Sequence, residues 1–195
     1  MPIRKVKFVQ GNYYHIYNRG AGRQSIFKNR GNFAYLLELL NKVLAECHVT
    51  MIAYCLLPNH YHWLLRQDGA TKAGWVPTRV FGSYSQAFNK ANNRTGTLFE
   101  GPYKAILVES DDYLLHLCRY IHGNPVRHGL AMSPELWPYS NYLDWVGKRS
   151  GNLIDRAFVA AHFPREGEYE AYVRSYLIGQ VVLSAGLRKY LESLG

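Results

Sequence analysis

The segment on either side of Pro58-Asn59 constrains the fold of this chain more than any other. Val49 to Leu57 and His60 to Arg66 are both rich in residues that favour β-structure, and two turn-forming residues separate them. Two such runs joined by a short turn predict an antiparallel pair of strands. Other elements have to cover a sheet built on this pair, because apolar strands bury at least one face.

Helical patterns alternate with further strand patterns along the chain. Phe33 to Cys47 carries apolar residues at three- and four-residue spacing, which predicts an amphipathic helix, and we expect Asn32 to cap it. The other predicted elements are strands at Tyr13–Asn18 and Tyr103–Val108, a helix at Thr78–Ala91, and a helix that Ser110 caps and that Pro125 ends near Asn124. This order predicts an α+β fold, a ferredoxin-like sandwich in which helices cover a mainly antiparallel sheet.

The composition favours a polyanionic partner. The chain has 23 Lys and Arg against 14 Asp and Glu, a formal net charge of +9. Such a charge is typical of proteins that bind nucleic acid, and also of proteins with a solvated basic surface. Several of the 16 tyrosines stand beside basic residues, as in Tyr103-Lys104. Aromatic faces beside cations favour single-stranded nucleic acid, although a single tyrosine is more often a core residue.

The cysteines and the apolar segments indicate a cytoplasmic protein. Cys47, Cys55 and Cys118 are isolated and form no Cys-x-x-Cys motif, so the sequence predicts neither a zinc ribbon nor a disulfide framework. The first ten residues lack the apolar core of a signal peptide, and the apolar run from Met51 to Leu57 is too short to span a bilayer. We therefore expect a reducing compartment and no membrane partner.

His60 and His62 are the first candidates for chemistry. Their i, i+2 spacing in a predicted strand places both imidazoles on one face of the sheet, where two imidazoles can chelate one cation. The spacing alone is also compatible with one packed and one exposed histidine. The apolar residues that follow, Trp63 to Leu65, favour a sheet face over a loop for this pair.

The predicted helix after Ser110 carries a polar stripe. His116, Tyr120 and Asn124 recur every four residues and share one face, and Tyr113 lies seven residues before Tyr120. The stripe is too polar for an ordinary core, and its pattern fits a solvated face and a functional site equally well. A catalytic metal on the histidine pair needs at least one more protein ligand, and this helix offers candidates.

These motifs resemble those of the single-tyrosine HUH transposases, in particular the REP-associated tyrosine transposases. The segments that carry the resemblance are YHIYNRG (14–20), LLPNHYHWLL (56–65), LFEGPYKAILV (98–108) and RYIHGNPVRHGL (119–130). It covers residues 12–145, and its specificity comes from the joint occurrence of these segments in this order. In the HUH motif a bulky hydrophobic residue separates the two histidines; here that residue is Tyr61, which also carries a hydroxyl.

The resemblance implies a role for each residue of the constellation. His60 and His62 would be metal ligands, Asn124 the third ligand and Tyr120 the nucleophile. The implied reaction is DNA transposition, in which single-stranded DNA near short hairpins is cut and rejoined through a 5′-phosphotyrosine link with Mg²⁺ or Mn²⁺. The resemblance assigns nothing to His116, which we consider a candidate to assist the deprotonation of Tyr120.

Basic residues near these motifs are the expected DNA contacts. We expect the loop after the first strand to grip phosphates as a group, with further contacts from Lys104 and Arg127 near the active site. The loop residues are Arg19, Arg23, Lys28 and Arg30, and a basic tail with Lys148, Arg149, Arg188 and Lys189 is expected on the hairpin stem. Three alternatives remain open: an HUH replication initiator or relaxase-like nickase, a non-catalytic protein that binds DNA hairpins, and a metal-dependent hydrolase that does not need Tyr120.

We expect two parts in the chain. Residues 1–146 would form the HUH catalytic domain, and residues 147–195 a C-terminal helical extension with two short helices within 165–194. The basic, glycine-bearing stretch Gly147 to Gly151 would link them. The resemblance is compatible with a homodimer, in which the tyrosine helix acts in its own subunit or in the partner.

Overall fold

The computed structural model of the chain describes residues 6–181, in which a four-stranded sheet packs between two layers of helices. The strands are β1 (Tyr13–Arg19), β2 (Val49–Leu57), β3 (His60–Gln67) and β4 (Lys104–Val108). The helices are α1 (Arg30–Cys47), α2 (Trp75–Ala91), α3 (Asp111–Arg127), α4 (Tyr142–Trp145), α5 (Arg156–His162) and α6 (Glu168–Leu177). The α+β fold class predicted from the sequence is confirmed.

The sheet has the strand order β2-β3-β1-β4, and each neighbouring pair is antiparallel. The turn at Pro58-Asn59 joins β2 to β3, as the sequence predicts. β1 lies between β3 and β4, and its register places Tyr17 opposite His62 and Arg19 opposite His60. This order and these directions are those of the expected ferredoxin-like sandwich.

Alternation along the strands gives the sheet two different buried faces. One face, which includes Ile16 and Trp63, packs against α1 and α2. The opposite face, which includes Leu64, packs against α3, and α5 and α6 complete the core on this side. His60 and His62 alternate with residues of the first face, so both belong to the face that α3 covers.

Two helices begin earlier than predicted. The N-cap of α1 is Asn29, not Asn32: the side chain of Asn29 accepts a hydrogen bond from the Asn32 backbone N–H at 3.0 Å. The Asn32 side chain instead accepts one from the Lys28 N–H at 2.9 Å. Helix α2 begins at Trp75 because Pro77 fits its first turn, where a missing N–H costs no intrahelical hydrogen bond.

The prediction that α3 ends near Asn124 is wrong. The helix continues through Pro125 to Arg127, since the fixed φ of proline is compatible with helical geometry even though its ring removes one hydrogen bond. The amide of His128 closes the next turn on the Asn124 carbonyl at 3.0 Å, and Pro125 is buried. As a result Asn124 stays helical and lies one turn beyond Tyr120.

Helices α5 and α6 pack on the same side of the sheet as α3. Phe158 and Val173 join the core formed by α3 and the covered sheet face. The second of the two helices predicted within 165–194 lies outside the described residues, as do Arg188 and Lys189. The division of the chain at residue 146 stays a prediction.

Asn141 holds this C-terminal segment to the sheet and to α3. Ile52 is the extra residue of a β-bulge in β2, and its carbonyl accepts a hydrogen bond from the Asn141 side-chain amide at 2.9 Å. The Asn141 amide also donates to the Leu153 carbonyl, and its oxygen accepts from the Tyr54 N–H and from His122 Nε2 at 2.8 Å each. One fully buried side chain thus satisfies four groups from different parts of the chain.

The three cysteines are buried and unpaired, in agreement with the prediction of no disulfide framework. Across residues 6–181, none of the helices combines the length and the apolar character that crossing a bilayer requires.

We predict that Asn141→Ala lowers the free energy of unfolding by about 3 kcal/mol, because it leaves several buried donors and acceptors without partners. Denaturant titration measures the change. Asn152→Ala, at an exposed position of the same segment, is the matched control and should change stability by less than about 0.5 kcal/mol. Equal effects of the two variants would contradict the structural role of Asn141.

Candidate active site

The predicted histidine pair lies on the sheet face beneath α3. His62 is almost fully buried and His60 is half-buried near the end of the sheet. Their ring centroids are 5.3 Å apart, and the ring planes are nearly perpendicular. Strand alternation thus brings the two imidazoles together, as the sequence analysis expects.

In each imidazole, one ring nitrogen forms a hydrogen bond within the protein. Nδ1 of His60 lies 2.7 Å from Oδ1 of Asn59, and Nδ1 of His62 lies 3.0 Å from Nε2 of His15. The Nε2 atoms of His60 and His62 are buried and have no hydrogen-bond partner within residues 6–181. A buried polar atom without a partner is costly, so these two nitrogens are candidates for a ligand that the protein alone does not supply.

Helix α3 carries a third such atom one turn beyond Tyr120. Asn124 is 1% exposed, and its side-chain amide donates to the Tyr120 carbonyl at 2.9 Å. Oδ1 of Asn124 is buried and has no hydrogen-bond partner among the described residues. In the same part of the chain, His, Cys, Asp and Glu side chains alone form no group of three that could hold a metal ion.

Burial keeps the histidines of the site neutral. It lowers the pKa of His60 to about 4, with smaller contributions from His128 and Arg19, and it lowers the pKa of His62 well below its usual range. Burial also lowers the pKa of His15 to about 3. Since only a neutral imidazole has a lone pair to offer, these shifts keep the ring nitrogens available as ligands or acceptors near neutral pH.

Tyr120 lies beside the pair at the centre of α3. Its ring centroid is 5.6 Å from that of His62, with the rings edge to face, and the residue is 1% exposed. Burial raises the pKa of the Tyr120 phenol, and the positive charge of Arg127 opposes this shift. The Arg127 guanidinium lies 5.1 Å from the centroid of the Tyr120 ring, and it donates to the Tyr176 hydroxyl of α6 at 3.0 Å.

A cavity of about 260 Å³ opens beside the histidines. Three of the six predicted DNA-binding residues, Arg19, Arg23 and Lys104, line it. The other three lie elsewhere. Lys28 contacts Asn92 and the ring of Phe88, Arg30 is exposed in the first turn of α1, and Arg127 covers Tyr120.

Several residues at the site were missed in the sequence analysis. His15 and Tyr17 lie two apart in β1, on the same sheet face as the histidine pair, and strand alternation could have placed them there. His128 lies 4.9 Å from His60 between ring centroids, and Glu100 pairs with Arg19 at 3.0 Å. Only tertiary structure brings these last two residues to the cavity.

Two further candidates on α3 have other surroundings. His116 contacts the Arg119 guanidinium, and its ring centroid lies 6.4 Å from that of Tyr172 in α6. The Tyr113 backbone N–H is capped by the Ser110 side chain, as predicted for the start of this helix. His116 therefore faces the layer between α3 and α6, while Tyr120 and Asn124 approach the sheet.

Comparisons with known proteins place the chain in a family of transposases. Residues 8–124 match the model of the family described as "Transposase IS200 like", and since the match spans more than half of the sequence, the chain belongs to that family. It is 28% identical over 126 residues to a Haemophilus influenzae protein assigned as a REP-associated tyrosine transposase, with 56% of this chain and 72% of that protein covered. The resemblance found in the sequence is confirmed.

A solved structure shares the fold. It is a REP-associated tyrosine transposase bound to a REP hairpin, and it superposes with a TM-score of 0.62. The superposition covers 80% of this chain and 94% of that chain, at 17% sequence identity.

Gly123 lets α6 approach α3 next to Tyr120. A Cβ atom at this position would lie 3.0 Å from Cδ2 of Leu177. We predict that Gly123→Leu displaces α6 and speeds hydrogen exchange of residues 168–177, as mass spectrometry can measure. Gly82→Leu is the matched control, because a Cβ at that helical position meets open space, and it should leave α6 protected. Unchanged exchange in Gly123→Leu would refute this packing role.

Proposed function

We propose that this protein is a DNA transposase that cuts and rejoins single-stranded DNA near hairpins, with Tyr120 as the nucleophile. His60, His62 and Asn124 hold the divalent metal ion that the reaction requires. The product of cutting is a 5′-phosphotyrosine link and a free 3′-hydroxyl.

One observation carries this proposal. Nε2 of His60, Nε2 of His62 and Oδ1 of Asn124 are buried polar atoms without partners among the described residues, and they belong to the three residues that the transposase resemblance implies as ligands. An amide oxygen and the unprotonated nitrogen of a neutral imidazole each offer a lone pair, so all three atoms suit a cation as ligands. This one oxygen and these two nitrogen atoms are therefore chemically suited to bind a divalent metal ion.

The ligand types favour Mg²⁺ or Mn²⁺. An amide oxygen is a hard ligand that suits both ions, and two imidazole nitrogens make Mn²⁺ at least as well tolerated as Mg²⁺. When bound, such an ion neutralises charge that develops on the phosphate oxygens of the substrate.

The covalent step begins at the Tyr120 hydroxyl. Its oxygen bonds to the phosphorus of the scissile phosphodiester while the bond from phosphorus to the 3′-oxygen breaks. The phenol gives up one proton and the departing 3′-oxygen gains one, so the step balances without an oxidant or a nucleotide cofactor. The positive charge of Arg127 over the ring favours the phenolate, against the effect of burial. Attack of another 3′-hydroxyl on the same phosphorus reverses the link and rejoins the strand.

The basic side chains that line the cavity make the substrate contacts closest to the proposed metal ligands. Arg19, Arg23 and Lys104 surround the histidine pair, where they favour a phosphate group. The hairpin is inferred from the relatives, since the solved structure with this fold is bound to a REP hairpin. Lys28 lies farther along the same basic loop and Arg30 in the first turn of α1, and both suit the phosphates of a stem.

The first prediction is a metal-dependent covalent adduct that Tyr120→Phe abolishes. Hairpin DNA with a single-stranded flank is incubated with Mn²⁺ and resolved on a denaturing gel. A 3′-end label follows the adduct, because the 5′-phosphate at the cut stays on the tyrosine, and a 5′-end label follows the fragment with the free 3′-hydroxyl. Tyr113→Phe, on the same helix, is the matched control and should retain the adduct.

The alternatives give different results in this assay. Cleavage without an adduct, unchanged in Tyr120→Phe, would establish a hydrolase and refute the tyrosine mechanism. Hairpin binding with neither adduct nor cleavage, over a panel of hairpins and both metals, would establish a non-catalytic binding protein. An adduct on hairpin-free strands, with nicking but no rejoining, would instead identify a replication initiator or a relaxase-like nickase.

The second prediction concerns the cavity cations. Lys104→Gln should weaken DNA binding several-fold and reduce the slope of log affinity against log salt by about 0.7–0.9, the effect of one lost phosphate contact. Fluorescence anisotropy over a salt series measures both quantities. Lys42→Gln removes the same charge from the exposed side of α1, on the other side of the sheet, and should leave the slope unchanged. Equal slopes for the two variants would place the DNA elsewhere.

A further inference from the structure

We propose that His15 is a positioning residue: it accepts a hydrogen bond from Nδ1 of His62 and so fixes the tautomer in which Nε2 of His62 presents its lone pair to the site. This inference deepens the proposed function, because it assigns a specific task to a histidine outside the ligand set. His15 is fully buried in the central strand β1, and the catalytic step itself does not use it.

The geometry of the two rings is that of an edge-to-edge hydrogen bond. Nε2 of His15 and Nδ1 of His62 are 3.0 Å apart, and the ring planes differ by only 18°. The ring centroids are 5.2 Å apart, which is close to the hydrogen-bond length plus the two distances from ring centre to ring atom. The nitrogens therefore point at each other nearly in the plane of both rings, where a ring N–H and a ring lone pair have their best overlap.

The roles of donor and acceptor follow from the site. If Nε2 of His62 offers its lone pair to a metal, the single proton of the neutral ring must be on Nδ1. That N–H points at Nε2 of His15, which therefore accepts and carries no proton. The other tautomer of His62 would bury an Nε2–H group without a partner among the described residues and would block the ligand position.

The second ligand histidine shows the same pattern with a different acceptor. Nδ1 of His60 lies 2.7 Å from Oδ1 of Asn59, and an amide oxygen can only accept. Both histidines thus have a hydrogen-bonding atom of the protein at Nδ1 and a buried Nε2 without a partner among the described residues. Asn59 at His60 and His15 at His62 would each favour the tautomer with the proton on Nδ1. In both histidines this tautomer leaves the lone pair of Nε2 free to bind a ligand.

The strand pairing fixes the plane of the His62 ring. Tyr17 lies opposite His62 in the register of β1 and β3, and its ring is within 24° of parallel to the imidazole, with centroids 5.7 Å apart. His15 and Tyr17 are neighbours on this face, with ring centroids 4.9 Å apart. His15, the proposed acceptor, therefore lies in an inner strand of the sheet, where the motion of its side chain is restricted.

Two substitutions of His15 distinguish the loss of its hydrogen-bond acceptor from the loss of its packing. His15→Met removes the acceptor and keeps a long apolar side chain, whereas His15→Gln keeps an amide oxygen near the position of Nε2. We expect the affinity for Mn²⁺, measured by calorimetry without DNA, to fall 10–100-fold in His15→Met and to stay within a few-fold of the original protein in His15→Gln. Equal affinities for all three proteins, or an equal loss in both variants, would overturn the proposal.

Nitrogen NMR of the imidazole rings tests the tautomer directly in the metal-free protein. We expect the Nδ1–H form for His62 in the original protein and a mixture of both tautomers in His15→Met; a dominant Nε2–H form in the original protein would overturn the assignment. This readout also separates the two proposals. If the original protein bound no Mn²⁺, the proposed metal chemistry would fail, while the His62 spectrum would still decide the role of His15.

Discussion

The packing of α3 on one face of the sheet sets the position of every candidate ligand. Strand β3 presents His60 and His62 to that face because they lie two residues apart, and α3 presents Tyr120 and Asn124 because they lie one helical turn apart. Neither pair forms a site alone. The contact between the helix and the sheet brings the histidine pair against the tyrosine. Three polar atoms of the candidate ligands are buried and have no partner in the part of the chain that the structure describes.

The same burial has opposite consequences for the two kinds of functional group. It lowers the pKa of His60, so the imidazole stays neutral and keeps a lone pair for a metal. It raises the pKa of Tyr120, so the phenolate that the proposed reaction requires is harder to form. A site that excludes water therefore requires positive charge near Tyr120 to stabilise the phenolate. Arg127 over the ring meets part of this requirement, and a bound cation with the cationic lining of the cavity would add to it.

The C-terminal segment extends the site beyond the part of the chain that matches the family. The match ends at Asn124, whereas α6 packs on α3 at Gly123 and supplies Tyr176, which binds Arg127. Asn141 ties this segment to the bulge of β2. Tyr120, the proposed nucleophile, is thus enclosed by the sheet on one side and, through Arg127, by a residue of α6 on the other.

The sequence by itself determined the four strands, helices α1 to α3 and the α+β fold class, because periods of two in a strand and of four in a helix are properties of the local backbone. The same periods placed His60 and His62 on one sheet face and His116, Tyr120 and Asn124 in one helical stripe, and the family resemblance selected Tyr120 and Asn124 from that stripe. It failed where packing overrides a local rule, as at Pro125, which stays inside α3 because the buried turn around it compensates for one lost hydrogen bond. Only the tertiary structure decided that His15 meets His62 and that His128 meets His60. These contacts join residues far apart in the chain, and their geometry depends on strand register and helix packing, which local spacing does not encode.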